Sequence, residues 1–208
     1  MKLLHLDSSI TSDYSVSRAL TAEVVAAQAA LHPGIEIIYH DLAVAPAMHL
    51  SPAHLAAAQG GPVQTDAFAE DLKLGGRYLT ELLDADILVI GAPMYNFSVP
   101  TQLKSWIDRV VVVGKTFRYT QHGPEGLLPA GKKAFIVSSR GGIYSGESPA
   151  KALEHSESHL RAVLGHIGLK DVTVIRAEGI GLGSEARAAA IARALQDIRE
   201  QSNIQRAA

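Results

Sequence analysis

Five short runs dominated by Leu, Ile and Val recur along the chain at residues 2–7, 35–40, 87–92, 133–139 and 172–177, and they constrain the fold more than any other feature. None sustains an alternation of apolar and polar residues, which is the pattern of strands covered on both faces. Such strands run parallel, and parallel neighbours need crossovers. Helical stretches fill the intervals. Ser15 or Ser17 can cap a helix to about Leu31, stopped by His32-Pro33-Gly34, and residues 65–83 repeat apolar side chains at Phe68, Leu72, Leu79 and Leu82. Pro100 suits the first turn of a helix through Leu103, Trp106, Ile107 and Val110. Pro149 or Ala150 starts another to about Ile167, closed by Gly168, and Ser184 caps the last, to about Ser202. Strand and helix in alternation predict a doubly wound α/β fold, and 208 residues suit one domain, 1–208. Two excursions, near 41–64 and 113–131, exceed ordinary connections and read as lids, binding loops or partner contacts.

Composition removes several function classes. The chain has no cysteine, which excludes a disulfide scaffold, a thiolate metal site and a cysteine nucleophile, so redox chemistry has to come from a bound cofactor. A formal net charge of -2, with no basic run beyond Lys132-Lys133, argues against nucleic acid as a partner. Nine histidines show neither HxH nor HExxH spacing, so no metal is expected. No apolar run is long enough for a membrane span and the first residues lack a secretory h-region, so the expected location is cytoplasmic.

In an open α/β sheet the ligand lies beyond the carboxyl ends of the strands. After the first run come Ser8, Ser9, Thr11, Ser12, Ser15 and Ser17, leading into a helix. Hydroxyls and free N–H groups at a helix start suit a phosphate monoester, with plain capping by Ser15 or Ser17 as the alternative. Neither GxGxxG nor GxxxxGK[ST] is present in that loop, so the phosphate is not gripped as in NAD or ATP sites. After the third run, Pro93-Met94-Tyr95-Asn96-Phe97-Ser98-Val99-Pro100 forms a rigid loop able to hold backbone groups and an amide against a flat ligand. After the fourth, Ser138-Ser139-Arg140-Gly141-Gly142 allows close approach of backbone to ligand. Gly179-Ile180-Gly181-Leu182-Gly183-Ser184 has the wrong spacing for a dinucleotide and reads as a structural loop after an edge strand.

Taken as a set, Ser8-Ser9 with Ser15-x-Ser17, Met94-Tyr95-Asn96-Phe97, Thr101-Gln102-Leu103-Lys104, residues 116–120, Gly123-Pro124-Glu125-Gly126-Leu127, Ser138-x-Arg140-Gly141-Gly142 and Ala177-Glu178-Gly179 closely resemble the bacterial FMN-dependent NADH azoreductase and quinone reductase family. The likeness covers essentially the whole chain. It implies a flavodoxin-like five-stranded parallel sheet in the order 2-1-3-4-5 and a homodimer with FMN sites formed across the interface. It implies that Ser9, Ser15, Val16 and Ser17 hold the FMN phosphate. Met94, Tyr95, Asn96 and Phe97 would line the ring, with Ser138, Arg140, Gly141 and Gly142 at its pyrimidine edge. Phe97, Phe117, Tyr119 and Tyr144 would border the substrate pocket, Phe117 and Tyr119 as exposed aromatics reaching toward the partner's site.

The chemistry expected on that basis is two-electron transfer from NADH or NADPH through FMN to a quinone or azo compound, in ping-pong order, with no catalytic side chain. The alternative is a flavodoxin-like electron carrier without its own NAD(P)H turnover. A serine hydrolase built on Ser8-Ser9 lacks a histidine after His166 and the Gly-x-Ser-x-Gly elbow. A phospho-receiver lacks an acidic acceptor at Gly91-Ala92-Pro93.

Overall fold

The computed structural model describes residues 1–207. Five parallel strands, β1 (Lys2–Asp7), β2 (Glu36–Asp41), β3 (Ile87–Pro93), β6 (Lys133–Arg140) and β7 (Asp171–Glu178), form one sheet in the order β2-β1-β3-β6-β7. Two short antiparallel strands, β4 (Phe117–Thr120) and β5 (Gly123–Gly126), form a separate hairpin within the second excursion. Counting only the parallel strands, the order is 2-1-3-4-5, as the resemblance implies, and the fold is flavodoxin-like.

Alternation along each strand divides the core. Leu4 and Leu6 of β1 and Leu88 and Ile90 of β3 meet α3 (Asp66–Asp84), α4 (Thr101–Val110) and α5 (Glu157–His166) on one face, where Tyr78, Trp106 and Leu164 are almost fully buried. On the other face Leu3, Val89 and Val137 meet α1 (Val16–Leu31) and α6 (Ser184–Ala207). Each large apolar side chain so buried contributes about 1.5–3 kcal/mol. No helix among the described residues is long and apolar enough to cross a membrane.

Three local expectations are corrected. The second strand starts at Glu36, because the N–H of Ile35 is taken by the carbonyl of His32 in the preceding turn. Nor is this edge strand covered on both faces, since Ile37 and Tyr39 stay exposed. The fifth major helix starts at Glu157 and not at Pro149 or Ala150; the Glu154 carboxylate accepts the N–H groups of Ser156, Glu157 and Ser158 at 2.9, 2.7 and 3.0 Å, capping the helix there.

The first excursion contains α2 (Pro52–Ala58). A buried cluster holds it down. His54 Nε2 lies 2.9 Å from Asp71, while Arg109 donates to Asp71 at 2.6 Å and to the Met48 carbonyl at 2.8 Å. The second excursion lies at the amino ends of the strands, where the Leu128 N–H donates to the Ile167 carbonyl at 3.0 Å. A Cβ on Gly126 would stand 2.2 Å from the Gly168 nitrogen, so only glycine lets the hairpin sit this close.

Candidate functional site

Chain order reverses between β1 and β3, and at their carboxyl ends a cavity of about 530 Å³ opens. Its walls come from four segments: Ser9, Thr11, Tyr14, Ser15 and Val16 after β1; Pro93, Met94 and Tyr95 after β3; Ser139 and Gly141 at the end of β6; and Ile180 and Arg187 after β7. A larger cavity of about 850 Å³ lies at the opposite end of the sheet, between the hairpin and the α5–β7 turn. The switch-point cavity is the better candidate, because there the strands direct several loops at one space.

The first loop is built to present donors. Ser15 caps α1, its Oγ accepting from the Arg18 N–H at 3.2 Å, and Ser17 Oγ lies 3.1 Å from Ser15 Oγ. The N–H groups of Val16 and Ser17 fall in the first helical turn, where no intrahelical carbonyl is available. Ser9 Oγ lies 3.0 Å from Thr11 Oγ1 and 3.3 Å from the Tyr95 hydroxyl, which also accepts from the Ile10 N–H at 3.1 Å, so the first and third loops are stitched together. Ser8 is structural, donating to the Gly91 carbonyl at 2.6 Å.

Behind the loop, Arg18 reaches both oxygens of Asp41 at 2.6 and 2.7 Å and the Ser9 carbonyl at 2.7 Å. Those bonds hold the Asp41 carboxyl below the usual carboxylate range. Asp7 accepts from Thr21 at 2.9 Å and from the Tyr39 hydroxyl at 3.2 Å, and burial foremost, with the Asp7 charge next, raises the Tyr39 phenol.

After β3, Tyr95 and Ser98 exchange both backbone hydrogen bonds, at 3.0 and 3.1 Å, around a two-residue turn with Asn96 at φ 47° and Phe97 at φ 71°. Among the described residues the non-glycine positions at positive φ are these two and Ser12, and all three lie in the loops at this edge. Asn tolerates that conformation, but a bulky Phe is strained in it, a cost characteristic of functional loops. The turn leaves Phe97 43% exposed, 6.3 Å edge to face from Tyr144.

After β6, a Cβ on Gly141 would meet open space, whereas one on Gly142 would stand 3.3 Å from the Tyr144 ring. Ser138 and Arg140 point elsewhere. Arg140 is 1% exposed and donates to Ser138 Oγ at 2.9 Å, Glu157 at 2.8 Å and Glu178 at 3.1 Å. Glu178 also accepts from the Tyr144 N–H at 2.9 Å and from the Ser145 hydroxyl, fixing the loop that carries Tyr144. Burial pushes Glu157 up, but bonds from Arg176 and Arg161, with the Arg140 charge nearby, outweigh it and hold it at about 2.

Most of the expected site residues thus gather at one edge: Ser9, Ser15, Val16, Met94, Tyr95 and Gly141 on the cavity, Ser17 just behind it, and Asn96, Phe97, Gly142 and Tyr144 in the adjoining loops. Phe117 and Tyr119 are not among them, lying in the hairpin at the amino ends of the strands. Phe117 is also buried rather than exposed, its ring 4.3 Å from that of His166, whereas Tyr119 is 74% exposed. Thr11, named among the loop hydroxyls, also lines the cavity, while the sequence reading missed Tyr14, Ile180 and Arg187 as cavity residues. The glycine-rich loop is structural as expected, its Gly179 and Gly181 N–H groups bonding to the Gly142 and Gly141 carbonyls, but that packing also brings Ile180 to the cavity.

A family model described as flavodoxin-like fold matches residues 1–202. The FMN-dependent NADH:quinone oxidoreductase of Xanthomonas campestris is 54% identical over 199 residues, covering 95% of this chain and 98% of its own. The protein of the same name from Azospirillum brasilense is 51% identical over 200 residues, covering 95% and 96%. Among solved structures, an azoreductase from Bacillus anthracis superposes with a TM-score of 0.85 at 26% identity, covering 98% of this chain and 99% of that one.

Proposed function

Because the chain belongs to the flavodoxin-like family of FMN-dependent NADH:quinone oxidoreductases and azoreductases, we propose that it is an FMN-dependent oxidoreductase transferring two electrons from NAD(P)H to quinones and azo compounds. One observation carries the reading to this chain's own residues: the switch-point cavity is walled on one side by hydroxyls and unpaired helix-start N–H groups, and on another by a flat run of Met94 and Tyr95. A phosphate monoester fits the first wall and a planar ring the second.

In this assignment Ser9, Ser15 and Ser17 and the Val16 N–H hold the phosphate. Met94, Tyr95, Asn96 and Phe97 hold one side of the ring, and the backbone of Gly141 and Gly142 lies along its polar edge. Ser138 and Arg140 act from beneath, the buried guanidinium tying that loop to Glu157 and Glu178. When bound, FMN supplies the two-electron chemistry between NAD(P)H and the acceptor. The chain's residues bind and orient; the exposed Phe97 and the half-buried Tyr144 form an aromatic corner on which flat donors and acceptors would stack in turn, giving ping-pong order.

The working unit is a homodimer of single-domain chains. Supporting this, Val44, Met48, Leu50, Leu55 and Val63 of the first excursion are all exposed, more apolar surface than one segment of a monomer ordinarily shows. Tyr119, remote from its own chain's cavity, serves the site of a neighbour. NAD(P)H is regenerated in the cytoplasm, which is where the reading places the protein. The purified protein is expected to be yellow, to release FMN on heating and to bleach on anaerobic addition of NADH. A yellow protein that stays oxidised with NADH and NADPH would instead be an electron carrier, and recovery of FAD or failure to take up FMN would overturn the cofactor.

A further inference from the structure

Three arginines lie close to the switch-point cavity, and two have their charge already engaged. Arg18 is spent on both oxygens of Asp41, and Arg140 is buried against Glu157 and Glu178. Arg187, in the first turn of α6, differs: it lines the cavity, is half-buried, and among the described residues makes a single side-chain bond, from Nη2 to the Tyr14 carbonyl at 3.0 Å. It has no carboxylate partner among the described residues. Every other residue lining the cavity is neutral. The bond to Tyr14 fixes the guanidinium over the serine loop, one residue from Ser15, while leaving its other N–H donors free.

We infer that Arg187 is the cation of this site, pairing with the phosphate of the bound flavin and so setting the preference for FMN over unphosphorylated riboflavin. The inference rests on the FMN reading above. A phosphate monoester carries between about one and a half and two negative charges at neutral pH, and hydroxyls with a helix start offset only part of that. A guanidinium held by one neutral acceptor is pre-organised to supply the rest through charge-assisted bonds. Nothing in the first loop's sequence points to this residue, which arrives from the far end of the chain.

The rival role for Arg187 is purely mechanical, a clamp from α6 to the Tyr14 loop, and the two separate cleanly. Flavin-depleted wild-type protein and the variants Arg187→Ala, Arg187→Gln and Arg187→Lys are titrated with FMN and with riboflavin, at low and at high salt. The inference expects FMN affinity to fall about tenfold or more in the Ala and Gln variants, with Lys intermediate and riboflavin affinity within about threefold of wild type throughout. It also expects the wild-type affinity for FMN to weaken more with salt than that of the Ala variant. Equal losses for FMN and riboflavin would make Arg187 a clamp and overturn the inference, as would unchanged FMN affinity. If wild-type protein binds neither flavin, the FMN reading itself fails, a result visible before any variant is measured.

Discussion

At the scale of single residues, the phosphate loop combines two uses of one hydroxyl. Ser15 Oγ accepts the Arg18 N–H that starts α1 and also lines the cavity, and Ser17 Oγ stands behind it at 3.1 Å. Capping and ligand binding were competing explanations in the sequence, and the geometry lets one hydroxyl cap the helix while it faces the cavity. Changing Ser15 and Ser17 together to Ala removes two contacts to a charged group, each worth on the order of 1.5–3 kcal/mol, and one cap worth about 1 kcal/mol. FMN affinity should drop by more than about tenfold while the circular dichroism stays native, and excess FMN should restore most NADH-dependent quinone reduction. Unchanged affinity by fluorescence titration would place the phosphate elsewhere. The turn at Asn96 and Phe97 was legible as a motif but not as a conformation, because only backbone angles reveal that a Phe occupies the left-handed region.

Between elements, the chief electrostatic joint ties β6, α5 and β7 through Arg140, Glu157, Arg176 and Glu178. Glu157 is the centre of it, accepting from Arg140, Arg161 and Arg176. Its carboxyl titrates near 2 in the folded chain against about 4.5 for the ordinary group. The folded value is the lower one, so this contribution is complete above pH 4.5 and disappears as pH falls toward 2, amounting to at most about 3 kcal/mol. Wild-type stability should therefore decline through that window, and Glu157→Gln should be less stable at neutral pH with a flatter acid limb in denaturant unfolding. Parallel acid limbs for the two proteins would refute the assignment. The pairing within this joint was not readable beforehand, since its members are far apart in sequence and three sit on strands whose apolar runs dominated the pattern. The inner strands β1, β3 and β6 were readable because a buried parallel strand writes itself largely in apolar residues, and the edge strand β2 carried enough Ile to be found although it is not covered on both faces. The β4–β5 hairpin was not, because Gly123–Gly126 holds Gly, Pro and Glu and carries no apolar signal. Ile180 and Arg187 escaped for a related reason: the loop chemistry around them is that of an ordinary helix start, and only the packing of Gly179 and Gly181 against Gly142 and Gly141 turns them toward the cavity.

For the whole molecule, the separation of the hairpin from the cavity decides how a shared site has to be built. The cavity lies at the carboxyl ends of the strands and Tyr119 beyond their amino ends, with β6, eight residues long, spanning about 26 Å between the two edges. Tyr119 therefore cannot serve its own chain's cavity, yet it is 74% exposed on a hairpin whose base is locked by Phe117 and Gly126. In the proposed homodimer each hairpin would lie over the partner's cavity, giving two equivalent sites. Complementation tests this directly. Chains carrying Tyr119→Ala are expected to bind FMN normally but reduce quinones slowly, and chains carrying Ser15→Ala with Ser17→Ala bind FMN poorly. In a hybrid of the two, one site combines an intact serine loop with an intact Tyr119 while the other carries both defects. At FMN concentrations that do not rescue the serine variant, mixing should recover up to roughly half of wild-type activity per dimer, more than either parent shows. A hybrid no more active than the average of its parents would mean that each chain builds its site alone, as would a monomer, sized by light scattering at assay concentration, that retains full flavin and full turnover.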